Sequence, residues 1–296
     1  MSISLLSPLR KVIHGKRIIQ FQLRFLSQQS TTPKIDDQQL NPNPTTSPNF
    51  EVEHHSKLAA EWWDPAGQLK GLHAMNTIRI PFVRDGLISA GTVDSELQHT
   101  TKVLKDKKIL EVGCGGGILT ESLARLHADI IAIDLSDELI KVAKQHLNDC
   151  SPELTSRIQY RMEPLDIHVM DNLEKYDAVV VSEVIEHIDN KPAFLTSCVD
   201  CLKPGGSIFI TTLNQTPVMW FTGIILAEYL LNLVPKGTHH WEKLIAPKEL
   251  MKILNALNCD TIMLKGCIYE FWSNKWQWIP VDDFSYALHA IKSERS

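Results

Sequence analysis

The densest reactive group in the chain is Ser182-Glu183-Val184-Ile185-Glu186-His187. Glu183, Glu186 and His187 are spaced so that two carboxylates and an imidazole can ligate one divalent ion. Oxygen-rich ligation with positions left for water suits Mg²⁺, and the imidazole also admits Mn²⁺, Co²⁺ or Zn²⁺. A metal there lowers the pKa of a hydroxyl and makes it a nucleophile. Without metal, His187 serves as general base. A purely structural reading has Glu186 and His187 simply opening the next helix.

A second reactant needs its own pocket, and residues 108–119 (KILEVGCGGGIL) supply one. Ile109, Leu110 and Val112 read as a buried parallel strand, and the pattern from Ile118 opens a helix. Between them Gly113, Gly115 and Gly117 let the backbone take positive φ and let a ligand lie against the main chain. The dinucleotide fingerprint wants its third glycine at the position of Ile118, and no Lys-Ser/Thr follows to hold a triphosphate. Glu111, at the strand end, repels phosphate and suits a cation. S-adenosylmethionine, with a sulfonium, an ammonium and no phosphate, meets these conditions. Residues 129–135 (DIIAIDL) form a second strand ending in Asp134, placed to accept both ribose hydroxyls and also able to cap the following helix. The fourth strand lacks the Asn/Asp-Pro-Pro-aromatic run usual in methylases of nucleic-acid amines, which argues against that acceptor.

Other residues could close the cleft. Two helices are expected in 57–90, separated by the turn at 65–67, with Trp62, Trp63, His73, Asn76 and Arg79 as candidate contacts. Arg79 can pair bidentately with a carboxylate such as the methionine end of the cofactor. Core tryptophans and a solvated arginine are the plainer reading. Glu163 and Asp166, after a third strand at 157–162, are candidates for the adenine amino group.

Positioning these groups falls to alternating strands and helices. Residues 176–182 give the fourth strand, 207–213 the fifth after a Lys203–Gly206 turn, and 259–269 and 283–292 two more. Helices are expected at 136–149, 191–201 and 247–257. The result is an α/β, Rossmann-like, doubly wound and mostly parallel seven-stranded sheet, the class I S-adenosylmethionine-dependent methyltransferase architecture. The last two strands are expected to add an antiparallel edge hairpin. Ligands then sit at the C-terminal strand ends.

The remaining chain sets the context. Among 296 residues the net charge is −5, with no long basic stripe past the start, so a nucleic-acid partner is disfavoured. Before the first acid, Asp36, residues 1–27 are basic, serine-containing and amphipathic, as a mitochondrial transit peptide is; a retained interfacial helix is the alternative. Residues 28–50 are expected to be a disordered linker and 51–296 the folded domain. An insertion at 214–240 includes the apolar run 217–235, whose one charge is Glu228; it reads as a lid or interfacial helix pair because both flanks return to one sheet. Trp220, Phe221, Phe271, Trp272, Trp276 and Trp278 suggest an apolar entrance or membrane-facing rim, or ordinary core. The six cysteines make no disulfide or zinc framework and are taken as thiols.

From about Trp62 to Ile291 the chain resembles the ubiquinone-biosynthesis O-methyltransferases in their mitochondrial form. The runs that carry this are WWDPAGQLKGLHAMNTIR (62–79), EVGCGGGILTE (111–121), SEVIEHI (182–188), LKPGG (202–206), TTLNQT (211–216), AEYLLNLVPKGTHHWEKLI (227–245) and VDDFSYALHAIK (281–292). The resemblance implies S-adenosylmethionine as methyl donor and polyprenylated catechol or quinol acceptors, both O-methylations of the pathway sharing one site. It implies cofactor contacts at Arg79, Gly113, Asp134 and Ser182, a divalent metal, Mg²⁺, on Glu183, Glu186 and His187, and catalysis by His187 and Glu183. It also implies peripheral attachment to the matrix side of the mitochondrial inner membrane within a multi-subunit assembly. Glu111 stands where the family commonly has Asp. Two alternatives remain open, another small phenolic acceptor and a non-catalytic subunit of the ubiquinone-synthesis complex.

Overall fold

The computed structural model describes residues 61–219 and 241–294. The transit peptide, the linker and most of the apolar insertion expected from the sequence lie outside these residues. Helix α1 (Lys70–Ser89) precedes β1 (Lys108–Val112), α2 (Ile118–Ala124), β2 (Asp129–Asp134), α3 (Asp137–Cys150) and β3 (Ile158–Met162). Then come α4 (Leu165–Asp171), β4 (Tyr176–Ser182), α5 (Lys191–Cys201), β5 (Leu202–Leu213), α6 (Pro247–Ala256), β6 (Cys259–Glu270), β7 (Lys275–Ile279) and β8 (Ser285–Lys292). Short helical turns lie at Ile185–His187 and Pro217–Met219, among others.

The strands form one sheet of order β3-β2-β1-β4-β5-β8-β6-β7. The first five are mutually parallel. Period-two alternation sends their side chains to opposite faces. Ile109, Ile130, Ala178, Val180 and Phe209 join one core, beside α1, α2 and α3. Leu110, Val112, Val179, Val181, Ile208 and Ile210 join the other, beside α5 and α6. Helices on both faces explain why β1 and β4 are mostly apolar, with Ile109, Leu110 and Val112 in one and Ala178–Val181 in the other.

Three details differ from the sequence expectation. The sheet has eight strands, because Lys275–Ile279 pairs with β6. The four-residue turn before it has neither glycine nor proline; Asn274, at φ +50°, takes the left-handed conformation instead. The final strand is not at the edge. β8 runs antiparallel between β5 and β6, and its residues Ser285–Ala290 are buried, as two paired neighbours require. Residues 65–67 do turn as expected, but Glu61–Trp63 form a turn and a single helix, α1, follows. Among the described residues no helix is long and apolar enough to cross a membrane.

Candidate active site

The glycine loop leaves β1 and is tied to β2 at once: the Gly113 and Cys114 amides donate to the Ile133 carbonyl at 2.8 and 3.1 Å. Gly113 has φ +73°, and a Cβ there would lie 2.4 Å from Val184 Cγ2. At Gly117, φ +91°, a Cβ would meet the Tyr160 hydroxyl at 2.2 Å. Glycine is therefore required at both ends of the loop. Asp134 spans loop and helix. One of its oxygens accepts from the Gly115 amide (2.9 Å) and the other from the Ser136 amide (2.8 Å). The half-exposed carboxylate thus organises the loop and keeps lone pairs for a ligand. Leu135 beside it is 72% exposed, and Met162 of β3, the register partner of Asp134, is 55% exposed. Glu163 follows, its amide bonded to the Asp134 carbonyl (3.2 Å) and its carboxylate to His168 Nδ1 (2.9 Å).

The residues before and within α1 close over this loop. Trp62 lies against Gly115 and Gly116, where added Cβ atoms would sit 2.5 and 2.3 Å from its ring. Trp63 Nε1 donates to the Gly116 carbonyl (3.0 Å), and its ring stacks on His146 at 3.4 Å. His146 in turn meets the buried Glu121 at 2.7 Å. His73 bonds the Trp62 carbonyl (2.9 Å), and Asn76 donates to the Ile118 carbonyl and Ser122 Oγ, both at 3.0 Å.

Arg79 is not solvated: it is 4% exposed. Its Nε donates to Asn76 Oδ1 (3.0 Å), one terminal nitrogen to Ser182 Oγ (3.0 Å) and the other to the Leu72 carbonyl (2.9 Å). Burial lowers its pKa to about 10, with Glu183 and Glu111 working the other way. Those carboxylates end β1 and follow β4. Glu111 accepts from Thr120 Oγ1 at 2.6 Å, yet burial raises it to about 7. The site thus sets Glu111 and Glu183 beside one buried arginine, and burial biases Glu111, Glu183 and Glu186 toward their neutral forms until a cation arrives.

Glu183 sits at φ +57° and its amide donates to the Thr211 carbonyl (2.9 Å). A non-glycine residue in this conformation carries strain. Its Oε1 is buried with no hydrogen-bond partner. Glu186, 4% exposed, accepts from Thr212 Oγ1 at 2.8 Å. Burial first, then Glu183, pushes it up to about 8; burial raises Glu183 too, against Thr211 and Arg79. Two buried carboxylates, one of which raises the other's pKa, call for a shared proton or a cation.

His187 does not complete that pair as expected. It is exposed while Glu186 turns inward, and among the described residues no three His, Cys, Asp or Glu side chains are gathered to hold a metal ion. The 3₁₀ turn Ile185–His187, rather than an α-helix, puts consecutive side chains on different sides. The carboxylate pair, with the orphaned oxygen of Glu183, still fits a divalent cation.

Sequence reasoning missed Thr120, Glu121, His146, Thr211, Thr212 and Val184. They come from three elements, α2, α3 and β5, and the loop after β4.

A family model described as a methyltransferase domain matches residues 92–264. A ubiquinone biosynthesis O-methyltransferase of Xanthomonas campestris pv. campestris is 36% identical over 257 residues, 86% of this chain and 100% of that protein. The chain belongs to the ubiquinone biosynthesis O-methyltransferase family. Within that family, the mitochondrial ubiquinone biosynthesis O-methyltransferases of Mus musculus and Homo sapiens are each 44% identical over 251 residues, 84% of this chain. The chain spans 66%, about two thirds, of the length of those two relatives. Magnesium protoporphyrin IX methyltransferase from Synechocystis PCC 6803 with bound SAM superimposes with a TM-score of 0.53 at 14% identity, over 85% of this chain and 100% of that one. The shared feature is the fold.

Proposed function

We propose that the chain transfers the methyl group of S-adenosylmethionine to a catechol or quinol oxygen carrying a polyprenyl tail, in ubiquinone biosynthesis. The observation that carries this is the acid-rich cup: Asp134 tied to the glycine loop, Arg79 locked on Ser182, and Glu111, Glu183 and Glu186 around them. A sulfonium cation stabilises the ionised form of such buried acids, whereas a phosphate would meet carboxyl groups with only one arginine to balance it.

S-adenosylmethionine supplies an electrophilic methyl when bound, and a divalent metal such as Mg²⁺, which Glu183 and Glu186 would hold, would supply a Lewis acid. The chain's own residues do the rest. Arg79 holds the donor's carboxylate, Ser182 and Gly113 border it, and Asp134 takes the ribose hydroxyls. The exposed side chains of Leu135 and Met162 offer apolar faces to adenine, with Glu163 at its amino group. His187, at the exposed rim, removes the phenol proton. The phenolate oxygen then bonds to the methyl carbon as the carbon–sulfur bond breaks, and the electron pair stays on sulfur. Trp62 and Trp63 keep water from the loop.

By the same family reading the protein is mitochondrial, at the matrix face of the inner membrane, and works in a multi-subunit ubiquinone-synthesis assembly. Purified chain incubated with labelled S-adenosylmethionine and a short-tailed prenyl catechol tests the proposal. Labelled methyl ether is expected, with loss under chelation restored by Mg²⁺. No transfer, with uptake of a pyridine dinucleotide instead, overturns it. Full transfer under chelation removes the metal and leaves His187 as base.

A further inference from the structure

We propose that the tip of the β6–β7 hairpin, Phe271–Trp272, is the contact through which this protein docks on a lipid bilayer. The proposal rests on the reading of the acceptor as polyprenylated, since such a substrate resides in a membrane.

The hairpin stem is fixed to the site. Trp276 Nε1 donates to the Gly71 carbonyl at 2.9 Å, at the start of the helix that carries Arg79. Tyr269 bonds Asn274 Oδ1 across the turn (2.9 Å) and packs on Trp276 at 5.4 Å. Trp278 meets Phe82 at 6.1 Å and lies under Lys265. These three aromatics are absorbed into the fold. The two at the tip are not: Phe271 is 42% and Trp272 74% exposed, set edge-to-face at 4.9 Å. The core thus provides partners for the stem rings, while the tip rings are held in water on a rigid support.

Register decides which way the tip points. Cys267 of β6 pairs with Ser285, and Ser285 pairs with Leu213 at the end of β5. Ser182 pairs with Thr211 at that same end. The hairpin therefore projects past the C-terminal ends of the parallel strands, the end that holds Ser182, Glu183 and the glycine loop. An exposed Trp-Phe pair prefers the boundary between headgroups and acyl chains, where the indole N–H stays hydrated and the ring surface is buried. Docked by this tip, the site end faces the membrane and a tailed acceptor reaches the cup without leaving the bilayer.

The test is co-sedimentation of the full chain with phosphatidylcholine/phosphatidylglycerol vesicles, for wild type and for F271S/W272S. Both side chains are exposed, so the fold is expected to survive. The double variant should lose about tenfold or more in partitioning. Intrinsic fluorescence with brominated phosphatidylcholine gives a second readout through W272F, which keeps an aromatic ring. Quenching should be greater in wild type than in W272F. Equal partitioning of wild type and double variant, equal quenching, or a change in monomer–dimer equilibrium without lipid in place of vesicle binding, each overturns the proposal. Turnover of a short-tailed, water-soluble prenyl catechol without vesicles should be the same in both proteins. If wild type fails on that acceptor, the acceptor reading falls, while the vesicle result still decides the docking element.

Discussion

His289 makes the stability of this protein depend on pH below neutrality. The residue lies on β8 opposite Phe209 of β5, is fully buried, and stacks on the Phe209 ring at 4.3 Å. Its Nε2 pairs with Ser207 Oγ at 3.0 Å, whereas Nδ1 has no hydrogen-bond partner. Burial without a counter-charge lowers its pKa from 6.5 to about 4. The unfolded chain therefore takes up this proton near pH 6.5, and the folded chain resists it down to about 4. The stability tied to neutral His289 is complete above the higher value and is lost as pH falls through that window. At about 1.4 kcal/mol per tenfold, the full loss is about 3 kcal/mol, of which about 2 kcal/mol has gone by pH ~5. Urea unfolding of wild type and His289→Gln at about pH 7.5 and about pH 5 measures it. Carboxylates elsewhere titrate in both proteins, so the difference isolates the imidazole. The variant should lose about 2 kcal/mol less than wild type between the two conditions. The same loss in both proteins would refute the reasoning, because His289 would then be charging in the folded state.

Other perturbations address the site. Gly117→Ala forces a Cβ against the Tyr160 hydroxyl at a left-handed φ, and should cost roughly 2–3 kcal/mol in thermal or urea unfolding. Arg79→Met removes the cation between Glu111 and Glu183, and calorimetry should show S-adenosylmethionine bound about a hundredfold more weakly or worse. Arg79→Lys should recover only part of that affinity, because an ammonium cannot bridge Asn76, Ser182 and Leu72 together. Glu183→Gln should lower turnover by about a hundredfold or more with the donor's dissociation constant nearly unchanged, measured by steady-state kinetics beside calorimetry. An equal loss in both would move Glu183 from the acceptor side of the site to the donor side.

Much of this was legible in one dimension because the signals are local. An apolar run, alternating glycines and an apolar helix face specify β1, the loop and α2 within 17 residues, 108–124, and the loop's positive φ values follow from steric rules alone. Asp134 was legible because the distance from loop to second strand end is set by one βαβ unit. Helices α3, α5 and α6 start within a residue of the expected points, where Ser136 and Asn190 cap two of them and Pro247 opens the third. β7 was not, since Lys275–Ile279 is short and only half-buried, with Trp276 and Trp278 facing α1 and Lys275 and Gln277 facing solvent, too brief an alternation to stand out from a surface loop.

The chain order alone therefore determined the glycine loop with its flanking strand and helix, the individual parallel strands and the cluster at 182–187, all of which depend on neighbours near in sequence. Tertiary structure decided how those groups are charged and used. Arg79 is a buried cation rather than a solvated one because Ser182, 103 residues away, and the Leu72 carbonyl enclose it. Glu183 and Glu186 hold raised pKa values because the packed fold buries them away from water, an effect that hydrogen bonds from Thr211 and Thr212 of β5 offset only in part. His187 stands apart from that pair because a 3₁₀ turn follows β4. Burial and long-range pairing have no periodicity to read, so their consequences emerge only when the strands are in register.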